Sequence, residues 1–314
     1  MSRRNESPPR LDSRLPVAGV ALAALLCIGS ARAAWSEPTE SINPGPDLPR
    51  VIAIDPRDGP AIRCSLYGPP PKPGDGQPPL TIHLYGHNGS HHSHNLGSEA
   101  FAGLRRALWD RGHWIVVPEL GPRHWMNAEA IERMDAVIEA MVRDYGVDPR
   151  RVNLLGTSMG AGSGLIYASR RPGRVRAVVA VFPMTDFALW VQEEPRFLPS
   201  IAAAHGVAPE QADALLASMS VSRHAESLRG TPIMLIHGTD DTIVRPHHSR
   251  ALWAALRRIG SPVVYRQTSG IGHKNEAATP HHKETADFLA APWRVVEGAN
   301  AGEPRPSGSH RARH

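Results

Sequence analysis

Ser158 sits in Gly156-Thr157-Ser158-Met159-Gly160, a G-x-S-x-G stretch. A serine hydroxyl is a weak nucleophile, and it attacks a carbonyl carbon only when a base takes its proton and a third group orients that base. Glycine at both ends fits a turn too tight for side chains beside the serine. Such a turn holds the serine in a strained backbone conformation with its hydroxyl clear of its surroundings. Downstream, the stretch His237-Gly238-Thr239-Asp240-Asp241-Thr242-Ile243-Val244 offers a carboxylate, and Gly270-Ile271-Gly272-His273 offers an imidazole. Serine, aspartate and histidine in that chain order are the parts of an acyl-transfer relay: His273 would accept the Ser158 proton, and the aspartate would fix the imidazole tautomer. The tetrahedral intermediate also needs donors aimed at its oxyanion. The N–H of Met159, next after the nucleophile, is one expected donor. The loop at Gly86-His87-Asn88-Gly89 is the expected source of the other.

Each of these groups follows a strand pattern. Val152, Leu154 and Leu155 lead into the serine, and small residues (Ala161, Gly162, Ser163, Gly164) then carry Leu165, Ile166 and Ala168 in a helical pattern. Strands at about 232–236 and 263–266 precede the acid and base loops, with a helix at about 246–259 between them. Further strands are expected at 51–54, 61–67, 80–85, 114–117 and 177–182, and helices at about 98–110 and 128–145. In the longer helix Ile131, Met134, Ile138 and Met141 recur at three- and four-residue steps, and Gly146 ends it. Strands and helices alternate without a linker, which predicts one α/β domain over 51–294. The stretch 185–228 is too long for a plain connection. Its helical pieces, the best at 209–219, and its Phe187, Trp190 and Phe197 predict a small helical cap over Ser158, against an ordinary helical excursion with buried aromatics. The stretch 119–127, with Trp125 and Met126, is expected to form the facing wall.

Over residues 51–289 the chain resembles the α/β-hydrolase superfamily, on the strand–turn–helix setting of G-x-S-x-G and the Ser, Asp, His order. The resemblance implies a mostly parallel central sheet with helices on both faces and a small helical cap. His237, Gly238, Asp241 and Val244 match H-G-x-x-D-x-x-V, which is similar to the dienelactone-hydrolase and prolyl-oligopeptidase side of the superfamily. That match selects Asp241 over Asp240, which is left as a turn former bonded to nearby backbone, and gives His237 a loop position without a chemical role. Leu84-Tyr85-Gly86-His87-Asn88-Gly89 resembles the L-Y-G-x-G-G of prolyl oligopeptidases, in which a tyrosine hydroxyl helps bind the oxyanion. His87 stands at that tyrosine's place and Asn88 replaces a glycine, so the His87 N–H or its imidazole becomes the expected donor. The resemblance implies a serine hydrolase with Ser158, Asp241 and His273 as its catalytic residues and no cofactor. Prolyl oligopeptidases carry a large propeller domain, which a chain of this length is expected to be too short to hold. With the tyrosine missing as well, a small carboxylic ester (an acylated sugar, an aromatic ester or a polyester fragment) is the expected substrate, and a short peptide the alternative.

Arg3, Arg4, Arg10 and Arg14 precede an apolar run at 17–28 and then Ala31-Arg32-Ala33. This is the pattern of a secretory signal peptide cleaved after Ala33, with an apolar run too short to span a bilayer. A secreted or periplasmic protein with no membrane insertion after cleavage is expected. A proline-rich lead-in at 34–50 follows, and a low-complexity tail at 295–314 is expected to be disordered. The formal charge of +5 lies in the ends: residues 1–33 carry a net +3, and the stretch from Ala301 another +2. The body is therefore neutral, and no nucleic-acid partner is expected. Cys64, the one cysteine left after cleavage, is expected in the core. Among the 17 histidines, His87, His91, His92 and His94 cluster, and His247-His248 and His281-His282 form pairs. No acidic or thiol ligand accompanies them at useful spacing, so a polar loop is expected rather than a metal site. A non-catalytic or metal-binding hydrolase-fold protein is the remaining alternative.

Overall fold

The computed structural model describes residues 45–57, 59–69, 76–93 and 99–301. The expected leader, most of the lead-in, His94 and the tail beyond residue 301 lie outside them. The strands, in chain order, are β1 (Arg50–Ile54), β2 (Ile62–Tyr67), β3 (Leu80–Leu84), β4 (Trp114–Pro118), β5 (Val152–Thr157), β6 (Ala177–Val181), β7 (Ile233–Gly238) and β8 (Val263–Thr268). They form one sheet in the order β1-β2-β4-β3-β5-β6-β7-β8. The pairs β1–β2 and β2–β4 are antiparallel and the rest parallel. Every residue of β3, β5, β6 and β7 is buried. Both faces of the sheet are therefore covered, as the continuous Val, Ile, Leu and Ala runs of these strands require.

The helices are α1 (Glu99–Asp110), α2 (Ala128–Tyr145), α3 (Met159–Arg170), α4 (Phe187–Glu193), α5 (Leu198–Ala204), α6 (Asp213–Met219), α7 (His247–Arg258), α8 (His282–Ala290) and α9 (Pro292–Ala301). One group joins α1, α8 and α9, and another joins α3 and α7 through a short turn at Ala225–Leu228; β6 is packed by both α3 and α8. In α2 the Asn127 side chain accepts the Ala130 N–H, and Gly146 closes the helix at φ 65°. Asparagine at the start and a left-handed glycine at the end are the residues these positions favour. No helix among the described residues is long and apolar enough to cross a membrane.

Two boundaries differ from the sequence reading. The helix expected at 209–219 is a 3₁₀ turn at Pro209–Gln211 followed by α6. The body also does not stop at 294, because α9 runs on to Ala301. Val296 is buried and Val295 and Ala299 pack on the core, so an apolar stripe carries the helix into a stretch whose composition reads as a tail.

The register places the site. Leu84 pairs with Gly156, Thr157 with Val181, and Gly238 with Thr268. The C-terminal ends of five strands thus share one edge. The chain also reverses direction between β3 and β5, since β4 lies on the other side of β3. In open α/β sheets such a switch point opens a crevice at the carboxyl edge.

Candidate active site

Ser158 follows β5 at φ 51°, ψ −118° and stands at the cap position just before α3. A non-glycine residue there is strained, and the surroundings must hold it. They do so by close approach. A Cβ on Gly156 would collide with the Gly160 carbonyl, and one on Gly160 with the carbonyl of Leu84. Both glycines of the motif are thus required by backbone packing. A Cβ on Gly86 would lie 3.6 Å from the Cβ of Ser158, so the loop after β3 runs directly beside the nucleophile. Met159 opens α3, where its N–H has no intrahelical acceptor.

The structure brings the three distant groups together. His273 Nε2 is 2.9 Å from Ser158 Oγ, and His273 Nδ1 is 2.7 Å from Asp241 Oδ2. The second oxygen of Asp241 accepts the N–H groups of Ile243 at 3.0 Å and Val244 at 2.9 Å. Asp241 is buried, and burial by itself would raise its carboxyl. The hydrogen bonds from His237 and His273, the charge of His273 and the Val244 N–H outweigh burial and hold the group well below the usual carboxylate range. Asp240 stays outside this arrangement: it is exposed and accepts the Thr239 hydroxyl at 2.7 Å. The acid and base loops are laced together, with Asp240 N–H donating to the Ile271 carbonyl at 3.0 Å and Gly270 N–H to Thr239 Oγ1 at 2.9 Å. A side chain on Gly238 would strike the Ile271 carbonyl.

His237 has a job that its motif position does not reveal. Its ring is fully buried, with Nε2 2.7 Å from the Val244 carbonyl and 3.4 Å from Asp241 Oδ2, and Nδ1 2.7 Å from Ser249 Oγ. A carbonyl can only accept, so Nε2 carries the proton. The ring braces the back of the carboxylate.

Ser158 and His273 open onto a cavity of about 590 Å³. Trp125, Trp190 and Phe197 wall it, with the Trp190 and Phe197 rings stacked at 4.7 Å and Trp125 5.8 Å from Trp190. The cap segment is helical throughout its α4, α5 and α6, and the 119–127 stretch faces it as expected. Trp125 Nε1 donates to Ser200 Oγ at 2.9 Å, and Asn127 Nδ2 to the Ala204 carbonyl at 2.9 Å. The His87 ring lies 5.3 Å from that of Trp125 and 5.4 Å from that of Phe197, and its Nε2 is 3.4 Å from Ser200 Oγ. Burial, with Arg123 nearby, holds His87 below the usual histidine range. Its imidazole is engaged with the cap through Ser200 and Phe197, and the preceding Gly86 lies beside the nucleophile.

Two contributors escape sequence reasoning. Ser200 carries no motif, and only the folded cap brings it to Trp125. Phe182 lies 4.5 Å from the His273 ring and has φ 42°, which no sequence pattern announces. Asn88, Trp125, Ser158 and Phe182 all have positive φ and all line the cavity; strain is gathered around it, as at functional sites generally. His91, by contrast, is buried against Ser65 at 3.1 Å. Cys64 is buried as expected, and burial pushes its thiol up to about 12, which removes it as a thiolate nucleophile.

The model of the family described as "Prolyl oligopeptidase family" matches residues 119–292, more than half of the chain. No curated protein matches it. Among solved structures, a puromycin-hydrolyzing peptidase of Mycobacterium tuberculosis is similar at TM-score 0.64 and 20% identity, over 86% of this chain and 42% of that one. An acylaminoacyl peptidase of Pyrococcus horikoshii is similar at TM-score 0.61 and 14% identity, over 77% and 41%. An S-formylglutathione hydrolase from Agrobacterium tumefaciens is similar at TM-score 0.60 and 16% identity, over 76% and 93%. The chain thus spans about two fifths of the length of the two peptidases. At these identities the likeness shows the α/β-hydrolase fold.

Proposed function

The chain belongs to the prolyl oligopeptidase family of serine hydrolases, and we propose that it hydrolyses carboxylic esters with a bulky or aromatic acyl group. Ser158 attacks the ester carbonyl as His273 Nε2 takes its proton. Asp241 holds the imidazole with Nδ1 protonated and stabilises the imidazolium. The N–H of Met159 and the backbone N–H of His87 receive the oxyanion. When the intermediate collapses, His273 returns the proton to the leaving alcohol, and a water activated by the same base then releases the acyl group from Ser158.

The observation that carries this reading is the mixed lining of the cavity at Ser158, polar just after His273 and aromatic at Trp125, Trp190 and Phe197. The leaving group must lie beside His273, which protonates it. Lys274, Asn275 and Glu276 follow His273 directly and line the cavity, which suits a polar alcohol such as a sugar. Trp125, Trp190 and Phe197 form an aromatic wall of the same cavity and suit an aromatic or branched acyl group, as apolar pockets with a few polar groups do. A second reading, amide hydrolysis of short peptides, draws on the family and on the peptidases among the structural neighbours. The basic, apolar and small-residue sequence of positions 1–33 supports the further proposal that the mature protein acts outside the cytoplasm.

The test is a panel of p-nitrophenyl esters beside Pro-linked and other aminoacyl amides, with the wild type and Ser158→Ala. Turnover of aryl-acyl esters above acetate and above every amide is expected, with loss of all turnover in the variant. Faster turnover of amides would establish the second reading instead.

A further inference from the structure

The histidine pair at the start of α7 meets a carboxylate that its sequence neighbourhood does not contain. Glu193, the last residue of α4 in the cap, lies 55 residues before His248. Its Oε1 is 3.0 Å from His247 Nε2, and its Oε2 is 3.2 Å from His248 Nε2. The two imidazole rings stack at 4.6 Å and 30°, and one ligating atom from each of the three residues lies within 4.8 Å of the others. We propose that Glu193, His247 and His248 form a binding site for a divalent transition-metal ion, Zn²⁺ by the chemistry of the donors, which clasps the cap to the loop that carries Asp241.

His247 Nε2 is shut off from water and, although 3.0 Å from Oε1, makes no hydrogen bond, because the oxygen lies off the direction in which the ring nitrogen donates. An imidazole nitrogen and a carboxylate oxygen held side by side are placed like two ligands of one cation. Tetrahedral Zn²⁺ with bonds of about 2.0–2.2 Å sets neighbouring donors roughly 3.3–3.6 Å apart, so the two nitrogen–oxygen separations of 3.0 and 3.2 Å need widen by only a few tenths of an ångström. Two imidazoles and one carboxylate also match zinc's preference, with a fourth position for water. The site is braced on both sides, since Thr185 Oγ1 donates to the His248 carbonyl at 2.7 Å and Trp190 Nε1 to the Ile243 carbonyl at 2.9 Å. One charge opposes the ion: Arg245 Nη1 lies 3.3 Å from Glu193 Oε1, and it must yield that oxygen. None of the three ligands lines the cavity at Ser158, so the proposal holds for an ester or an amide substrate alike.

The chelator-treated full chain is titrated calorimetrically with ZnCl₂, and thermal unfolding is followed with and without the ion. One equivalent is expected to bind and to raise Tm, because a ligand of the folded state alone stabilises it. Glu193→Gln and His247→Gln should each weaken that binding at least about tenfold and abolish the Tm rise, since losing a ligand costs no less than losing an outer partner. Arg245→Gln should tighten it, and His281→Gln should leave it unchanged. Should Glu193→Gln fail to fold by circular dichroism, His247→Gln, whose ring is partly exposed, decides alone. No saturable binding to the wild type, or equal binding by wild type and His247→Gln, would overturn the site and leave the cluster as an ion pair.

Discussion

Asp241 is the residue whose surroundings are most fully built. Burial would favour its neutral acid, and the bonds from His237, His273 and Val244 reverse that preference. Replacing it by asparagine keeps the shape but presents an N–H₂ or a weak acceptor to His273 Nδ1, so the ring no longer holds the tautomer that leaves Nε2 free for Ser158. By analogy with such relays, kcat of Asp241→Asn should fall by about 10⁴ with little change in KM. Steady-state rates on one p-nitrophenyl ester decide it, and a loss of only a few-fold would remove Asp241 from the relay. The roles of Ser158 and His273 are legible from residue type and loop position. His237 shows where that legibility stops. Its motif match implies a loop position, whereas the ladder of β7 runs on through His237 to Gly238, and its brace on the carboxylate depends on a ring orientation set by Ser249 and Val244.

Elements position these residues through backbone contacts, and the glycines report which contacts are tight. Gly160 packs on the carbonyl of Leu84 at the end of β3, whereas Gly298 in α9 has nothing near the site of a Cβ. Gly160→Ala should therefore cost at least about 2 kcal/mol through forced backbone displacement. Gly298→Ala should leave stability unchanged or raise it by up to about 1 kcal/mol through helix propensity. Urea midpoints of the two variants test the pair, and equal midpoints would mean that the elbow is not held by that approach. The G-x-S-x-G spacing already implies the tight turn. The cap is less legible: Phe187, Trp190 and Phe197 signal buried aromatics, but which of them faces Ser158 follows from short helices whose packing no periodicity of so few residues encodes. In α9 the low-complexity composition hides Val296, and burial of that side chain outweighs the Gly and Ala around it.

Across the whole molecule, two buried histidines outside the relay weigh against acid conditions. Burial, with Arg151 and Arg176 nearby, pushes His113 down to about 3, and burial alone does the same for His124. Between that value and the ordinary histidine value near 6.5 the unfolded chain binds protons that the folded one refuses, so stability falls as pH drops. The loss begins below about pH 6.5 and reaches on the order of 4 kcal/mol for each group near pH 3. That is a large share of an ordinary domain's stability. Urea midpoints should fall steeply between pH 7 and 4.5, and a flat profile would show that these rings are accessible to solvent in the folded state. The sheet order was legible only as an alternation of strands and helices, because pairing across β3 and β5 is a long-range choice that Val and Ile runs do not specify. The central claim is an acyl-enzyme on Ser158, and intact mass spectrometry of the whole chain tests it most directly. After rapid acid quenching of a reaction with a p-nitrophenyl aryl ester, the mass should rise by one acyl group, carried on the peptide that contains Ser158, and Ser158→Ala should show no rise. An unshifted wild-type mass beside a pre-steady-state burst of nitrophenol, or an adduct that persists in the variant, would contradict it.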